Sequence, residues 1–112
     1  MAIPMSTRRY DHIGIPTTVK RTGEVYLERF KMYVSGYEMS EFGIEWMRFE
    51  PDSPVPDLVK AVPHVAFEVD DIESELAGRT VLIEPNRPSE GVVVAFIVEN
   101  GAPIEFIQRC PE

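Results

Sequence analysis

The chain has two histidines, and each opens an apolar stretch with a small residue two positions on: Asp11-His12-Ile13-Gly14-Ile15 and Pro63-His64-Val65-Ala66-Phe67. Downstream of each lies a glutamate between an isoleucine and an aromatic residue, in Gly43-Ile44-Glu45-Trp46-Met47 and Pro103-Ile104-Glu105-Phe106-Ile107. Glu45 follows His12 by 33 residues and Glu105 follows His64 by 41. Both histidines fall on the repeat and both glutamates follow in order, which points to an internal duplication with a trimmed first copy. Two neutral imidazoles and two carboxylates form a donor set for one divalent ion: imidazole suits Zn, Ni, Co, Fe and Mn, and carboxylate the harder of these. Such a set leaves positions open for water or substrate, as Lewis-acid chemistry requires. A lone histidine at a strand start more often caps a turn or faces solvent, and a glutamate between Ile and Phe is often the wet face of an edge strand. The repetition is what favours ligation.

These side chains can converge only if strands carry them. Arg9–Pro16 reads as a strand stopped by proline. Thr22 can cap a helix to about Val34, with Tyr26, Phe30, Tyr33 and Val34 as its apolar face and Gly36 as its stop. Tyr37–Glu41 and Ile44–Glu50 read as strands. Pro51, Pro54, Pro56 and Pro63 mark a linker with a turn of helix at Asp57–Ala61. Then come a strand at Pro63–Val69, a short helix through Ile72 and Leu76 capped by Asp70 or Asp71 and ended by Gly78, and strands at Thr80–Glu84, Val92–Val98 and Ile104–Gln108. Asn86–Gly91 and Asn100–Ala102 supply the turns. Strand, helix, then further strands, twice over, predicts an α+β fold in one domain: half-modules at 8–50 and 63–109, a linker at 51–62, and antiparallel sheet.

Alternation of strand side chains sets the faces. Val65, Phe67 and Val69 share an apolar face suited to packing under a helix, and His64, Ala66 and Glu68 share the other. Ile104 and Phe106 oppose Glu105; Ile44 and Trp46 oppose Glu45, Met47 and Phe49. Met47 and Phe49 are therefore candidates to line a substrate pocket, and Glu68 to support or line it. Glu41 and Glu50 compete with Glu45, because a slip of one residue inverts the face. Trp46 reads as core. Tyr33, Tyr37 and Phe42 could reach the pocket, and Arg8, Arg9, Arg48 and Arg87 could meet an anionic substrate.

These residues resemble the vicinal oxygen chelate superfamily, the glyoxalase-like fold, from about Tyr10 to Arg109. The likeness is strongest in PHVAFEVDDIESELAGR, VLIEPN and APIEFIQ. It implies two βαβββ-type modules, the first shortened, whose strands form a cupped mixed sheet around one divalent metal ion (Zn, Ni, Co, Mn or Fe). The ligands it implies are His12, Glu45, His64 and Glu105, in an order similar to bacterial glyoxalase I. The expected activity is then that of a lyase or isomerase on a small molecule with vicinal oxygens, through a metal-stabilised enediolate, with Glu45 or Glu105 as general base. Two alternatives come with the resemblance. One is an Fe(II) extradiol-type dioxygenase using His12, His64 and Glu105. The other is a non-catalytic small-molecule-binding protein of the antibiotic-resistance type; acidity favours it and the intact ligand set opposes it. Relatives commonly dimerise, so a homodimer is expected.

Composition sets the outer limits. With 11 Lys and Arg against 19 Asp and Glu, the net charge of −8 disfavours nucleic acid and anionic lipid as partners. The longest apolar run, Val92–Val98, falls well short of the roughly 20 residues that span a bilayer. MAIPMSTRRY has no apolar leader segment, so a cytoplasmic location is expected. Cys110, the single cysteine, cannot form an internal disulfide and reads as inert.

Overall fold

Valine, isoleucine and aromatic residues in alternating runs make this a strand-dominated chain. The computed structural model describes residues 7–110. It contains β1 (Arg9–Pro16), β2 (Val25–Leu27), β3 (Met32–Ser35), β4 (Ile44–Phe49), α1 (Asp57–Ala61), β5 (His64–Glu68), α2 (Ile72–Leu76), β6 (Thr80–Ser89), β7 (Val92–Glu99) and β8 (Ala102–Arg109). All eight strands form one mixed sheet in the order β2-β3-β4-β1-β5-β8-β7-β6. The α+β class read from the sequence is the class observed.

At the sheet centre β1 and β5 run antiparallel, and each has a parallel partner on its outer side, β4 for β1 and β8 for β5. The registers match: Gly14 stands opposite Glu45 and Ala66 opposite Glu105. The same His-to-Glu offset is thus reached over two different spans of sequence. The extra length between His64 and Glu105 goes into α2 and the long β6.

Two expected elements are different in the structure. The helix expected from Thr22 to Val34 is a hairpin instead. Val25–Leu27 and Met32–Ser35 pair antiparallel around a 3-10 turn at Glu28–Phe30, which Lys31 ends in the left-handed region at φ 48°. Val25, Tyr26, Tyr33 and Val34 are β-branched or aromatic, and cross-strand pairing, with the Tyr26 and Tyr33 rings packed at a tilt 4.7 Å apart, outweighs their fit to a helical stripe. The first half therefore has all four strands and lacks the helix. Tyr37–Glu41, expected as a strand, is a 3-10 turn at Tyr37–Met39 entered through Gly36 at φ 91°. The Asn86–Gly91 turn is also shorter than expected. β6 runs on to Ser89 with register slips on both sides of Asn86, and only Glu90 and Gly91 form the bend.

The other short elements follow the sequence closely. Asp71 caps α2, accepting bonds from the Glu73 N–H and the Ser74 hydroxyl. Asn100 and Gly101, at φ 51° and 79°, make the two-residue β7–β8 turn.

On one face of the sheet, α2 packs Ile72 onto Val69, Ala95, Ile97 and Phe106. The other face is concave. There Met32 and Met47 from the first half meet Phe96, Leu82 and Ile83 from the second, with Val59 of α1 between them. Strands at opposite ends of the sheet order thus pack together, so the sheet curls into a cup. Across its mouth the Arg29 guanidinium donates to the Arg87 carbonyl at 2.8 Å. Among the described residues, no helix is long and apolar enough to cross a membrane. The expected absence of a leader rests on residues 1–10, of which 1–6 lie outside the described residues.

Phe106 is 2% exposed and sits at the centre of the α2 cluster. Phe106→Ala is expected to lose about 3 to 5 kcal/mol, the range for a buried phenylalanine. Urea denaturation followed by far-UV circular dichroism measures it.

Candidate metal centre

The centre lies where β1 pairs with β5. Gly14 faces His64 and His12 faces Ala66 across the antiparallel pair. Each imidazole therefore lies over a residue with little or no side chain. A Cβ on Gly14 would stand 2.3 Å from His64 Cε1, so no larger residue leaves that ring where it is. The small residue two places after each histidine makes room for the other histidine.

The two rings meet edge to face with centroids 5.6 Å apart. Their Nε2 atoms converge on one carboxylate oxygen: Glu105 Oε1 is 3.0 Å from His64 Nε2 and 3.3 Å from His12 Nε2. Ligand atoms of these three residues all lie within 4.8 Å of one another. Glu45 stands at the edge of the group, its Oε1 3.8 Å from His12 Nε2. The four sequence-selected residues are thus brought together, as a tight three with Glu45 alongside.

His12 is held from behind by a residue the sequence reading passed over. β1 bulges between Tyr10 and His12, leaving Asp11 as the extra residue. Its Oδ2 lies 2.7 Å from His12 Nδ1. Asp11 Oδ1 in turn accepts from Arg109, which also bridges to Glu68 Oε2, both at 3.2 Å. A carboxylate behind a ligating imidazole fixes its tautomer and raises its basicity. The Asp-His dipeptide carried the signal, but alternation alone puts the two side chains on opposite faces, and only the bulge reconciles them. His64 has no such support: its Nδ1 is buried without a hydrogen-bond partner.

The electrostatics ask for a cation. Burial opposes charging the His12 ring, yet bonds and charge from Glu105 and Asp11, with Glu45 adding, push its pKa up to about 9. Burial would raise the Glu105 carboxyl, but hydrogen bonds from His12 and His64 outweigh it and hold the carboxyl below its ordinary value. Burial raises Glu45, eased by His12 and reinforced by Glu105. With Nδ1 donating to Asp11, an uncharged His12 turns the lone pair of Nε2 toward the carboxylates. Acceptors that close need a proton or a metal ion between them. Ligand bonds of roughly 2.1 Å set neighbouring donor atoms roughly 3.0–3.4 Å apart. The 3.0 and 3.3 Å separations are those of hydrogen bonds and also lie in the range a divalent ion would set, with Glu45 slightly outside.

A cavity of about 210 Å³ opens beside the donors, lined among others by Met47, Phe49, Phe96 and Asn86. Met47 and Phe49 thus line the cavity, as their strand face implies. Glu68 is not part of that lining; it pairs with Arg9 and Arg109 on the far side of Asp11. A wider groove of about 640 Å³, running past Lys20, Arg21 and Tyr37, shares Glu45 and Val34 with the cavity. Tyr37 sets its ring edge to face with His12 at 5.8 Å. The arginines considered for an anionic substrate are engaged elsewhere: Arg8 with Glu75, Arg9 with Glu68 and Asp70, Arg48 with Glu24. Arg87 is not among the cavity residues.

No family model matches the chain, and no curated protein matches it in sequence. Solved structures do. A hypothetical protein from Bacillus halodurans C-125 is similar with a TM-score of 0.70 and 22% identity, over 95% of this chain and 97% of that one. Methylmalonyl-CoA epimerase from Mycobacterium tuberculosis is similar with a TM-score of 0.59 and 18% identity, over 99% of this chain and 93% of that one. The chain has the glyoxalase-like fold. At these identities the likeness is one of fold, and the chemistry must be argued from the site itself.

Two tests follow from this geometry. Gly14→Ala should cost about 1 to 3 kcal/mol of stability, as overpacking does. Because its Cβ displaces a ligand ring, divalent-metal affinity should fall by on the order of 10–100-fold. Thermal unfolding and calorimetric zinc titration give the two numbers. The second test is pH. A metal ion must displace the His12 proton, so affinity should rise about tenfold per pH unit up to about pH 9 and then level. In metal-free protein the same raised pKa contributes stability that is full below roughly pH 6.5 and lost as pH rises through about 9. The metal-free melting temperature should therefore decline over that window.

Proposed function

We propose that this chain is a member of the vicinal oxygen chelate superfamily and a divalent-metal-dependent enzyme, a lyase or isomerase of the glyoxalase type. Its substrate is a small molecule with two adjacent oxygens. The observation that carries the reading is the convergence of His12 Nε2 and His64 Nε2 on Glu105 Oε1 at the wall of an apolar cup. A divalent ion held by His12, His64, Glu105 and Glu45 would supply Lewis-acid stabilisation of the negative charge that develops on vicinal oxygens as an enediolate forms.

The residues of the chain divide the remaining work. Glu105 sits between two imidazoles that hold it ionised, which suits a permanent ligand. Glu45 stands apart at the junction of cavity and groove, and its burial raises its pKa toward the range useful for proton transfer. Glu45 is accordingly assigned as the general base that takes the proton from the hydroxyl-bearing carbon next to the carbonyl. Met47 and Phe49 keep water from that carbon, and Asp11 keeps His12 Nε2 free to ligate. An epimerase of the same fold supports proton transfer at carbon as the reaction type.

A second reading draws on the offset of Glu45. Two histidines and one carboxylate form a facial triad suited to non-haem Fe(II) oxygenase chemistry. Oxygen uptake with a catechol in the presence of Fe(II) distinguishes it. A non-catalytic binding role is the outcome if no metal is held.

The deciding experiment is metal content by elemental mass spectrometry, on protein purified without chelator or nickel resin. Near one divalent ion per chain in the wild type and little in His64→Ala or Glu105→Gln is expected. Glu45→Gln should retain the ion, with an affinity loss under about tenfold, while turnover is lost. Wild-type protein that binds no divalent ion after add-back overturns the reading.

A further inference from the structure

The cup treats charge in a one-sided way. Apart from the four donor residues, its wall is formed by side chains such as Phe30, Met32, Met47, Val59 and Phe96, and no lysine or arginine is among its described lining residues. Arg29, at the mouth, is committed to the Arg87 carbonyl and lies over the Phe30 ring. A carboxylate or phosphate on the apolar part of the wall, away from the donor residues, would find no lysine or arginine to pair with, at a heavy desolvation cost. A space of about 210 Å³ is also small, since a cavity of about 150 Å³ already holds benzene.

One polar side chain on that wall remains unexplained. Asn86 lies on β6 opposite Val94, between two irregularities in the β6–β7 register. Its Nδ2 donates to the Glu84 carbonyl at 3.0 Å and to the Val94 carbonyl at 3.4 Å. Both amide hydrogens are used, which fixes the amide's orientation and leaves Oδ1 as the free atom. Oδ1 is buried and has no hydrogen-bond partner. A buried acceptor left unpaired is rare enough to call for a reason. Oδ1 is closed off in this rotamer, so a ligand donor meets it only when the amide turns toward the cavity and gives up its longer bond, the one to the Val94 carbonyl. The amide's terminal torsion, a soft one, lets Oδ1 turn to meet such a donor. A bulged strand aiming a side chain at a site is a recurrent device.

We propose that Asn86 is a specificity-determining residue of the cup, and that the part of the substrate that enters is compact, uncharged and apolar, about one ring in size, with a hydroxyl or N–H that Asn86 Oδ1 accepts. The adjacent-oxygen end of that substrate rests on the metal reading above; the Asn86 end does not. A charged tail, where the substrate has one, stays outside, in the groove past Lys20 and Arg21.

The test has two arms, so that the two readings fail separately. In metal-free protein, phenol, anisole and benzoate are titrated and followed by ¹H–¹⁵N NMR. Phenol should move the Asn86 side-chain amide resonances and bind at least about fivefold more tightly than anisole, the scale of one hydrogen bond. Benzoate should not bind at tenfold higher concentration. In zinc-loaded protein, benzohydroxamates carrying para-hydroxyl, para-methoxy or para-carboxylate groups should rank in that order by calorimetry. Asn86→Leu, of similar size, should bring the hydroxyl and methoxy probes level. The wild-type NMR comparison stands even where that variant does not fold. Equal binding of phenol and anisole, or unmoved Asn86 resonances, overturns the role of Asn86. Carboxylate probes that bind as well as the hydroxyl ones overturn the uncharged class. Failure to load zinc overturns the metal reading and leaves the phenol arm to decide this one.

Discussion

Everything at the centre of this protein depends on how closely β1 can approach β5 while two imidazoles lie between their side chains. Adjacent strands stand about 4.8 Å apart, and side chains opposite one another must share the space above that gap. Two rings side by side on one face fit only if what faces each of them is almost nothing. Gly14 and Ala66 meet that condition, and His12 and His64 then occupy the vacated volume. The parallel partners β4 and β8 bring Glu45 and Glu105 alongside with the same offset. The concavity, the donor cluster and the apolar wall all build outward from that pairing.

The cup follows from the same geometry. A sheet of eight strands twists, and this mixed sheet curls until its ends meet. Here the ends meet through Met32 and Met47 on one side and Leu82, Ile83 and Phe96 on the other, with Val59 of α1 seated among them. The donor cluster thus sits in a low-dielectric wall rather than on open sheet. That placement makes the His12 and Glu105 charges depend on each other.

Much of this was legible in the sequence, because the signal was periodic. The faces of β5 and β8 follow from alternation, and Glu105 and His64 meet as alternation requires. The α2 cap, the α1 turn and the β7–β8 turn are local chemistry and were readable residue by residue. The segment 22–34 was not. Its apolar residues suit a helical stripe and a hairpin equally, and the choice is made by pairing with β4, which lies outside the window. Asp11 and Asn86 were invisible for a shared reason. Both depend on β-bulges, which break the period that alternation relies on. Glu68 has the right face but the wrong height along the strand to line the cavity, and it connects to the donors only through Arg109, which also holds Asp11.

The division of the donors between the halves bears on folding. His12 and Glu45 come from one side of the β1–β5 seam, and His64 and Glu105 from the other. Slippage of β1 against β5 by one residue would turn a histidine away from its partners, and the slipped form would hold no ion. An ion bound at this seam would act as a proofreader of strand alignment. It would add free energy only to the correctly zipped arrangement, about 2.7 kcal/mol when present at a hundred times its dissociation constant. The device that prepares the site for chemistry would also correct the assembly of the sheet that carries it.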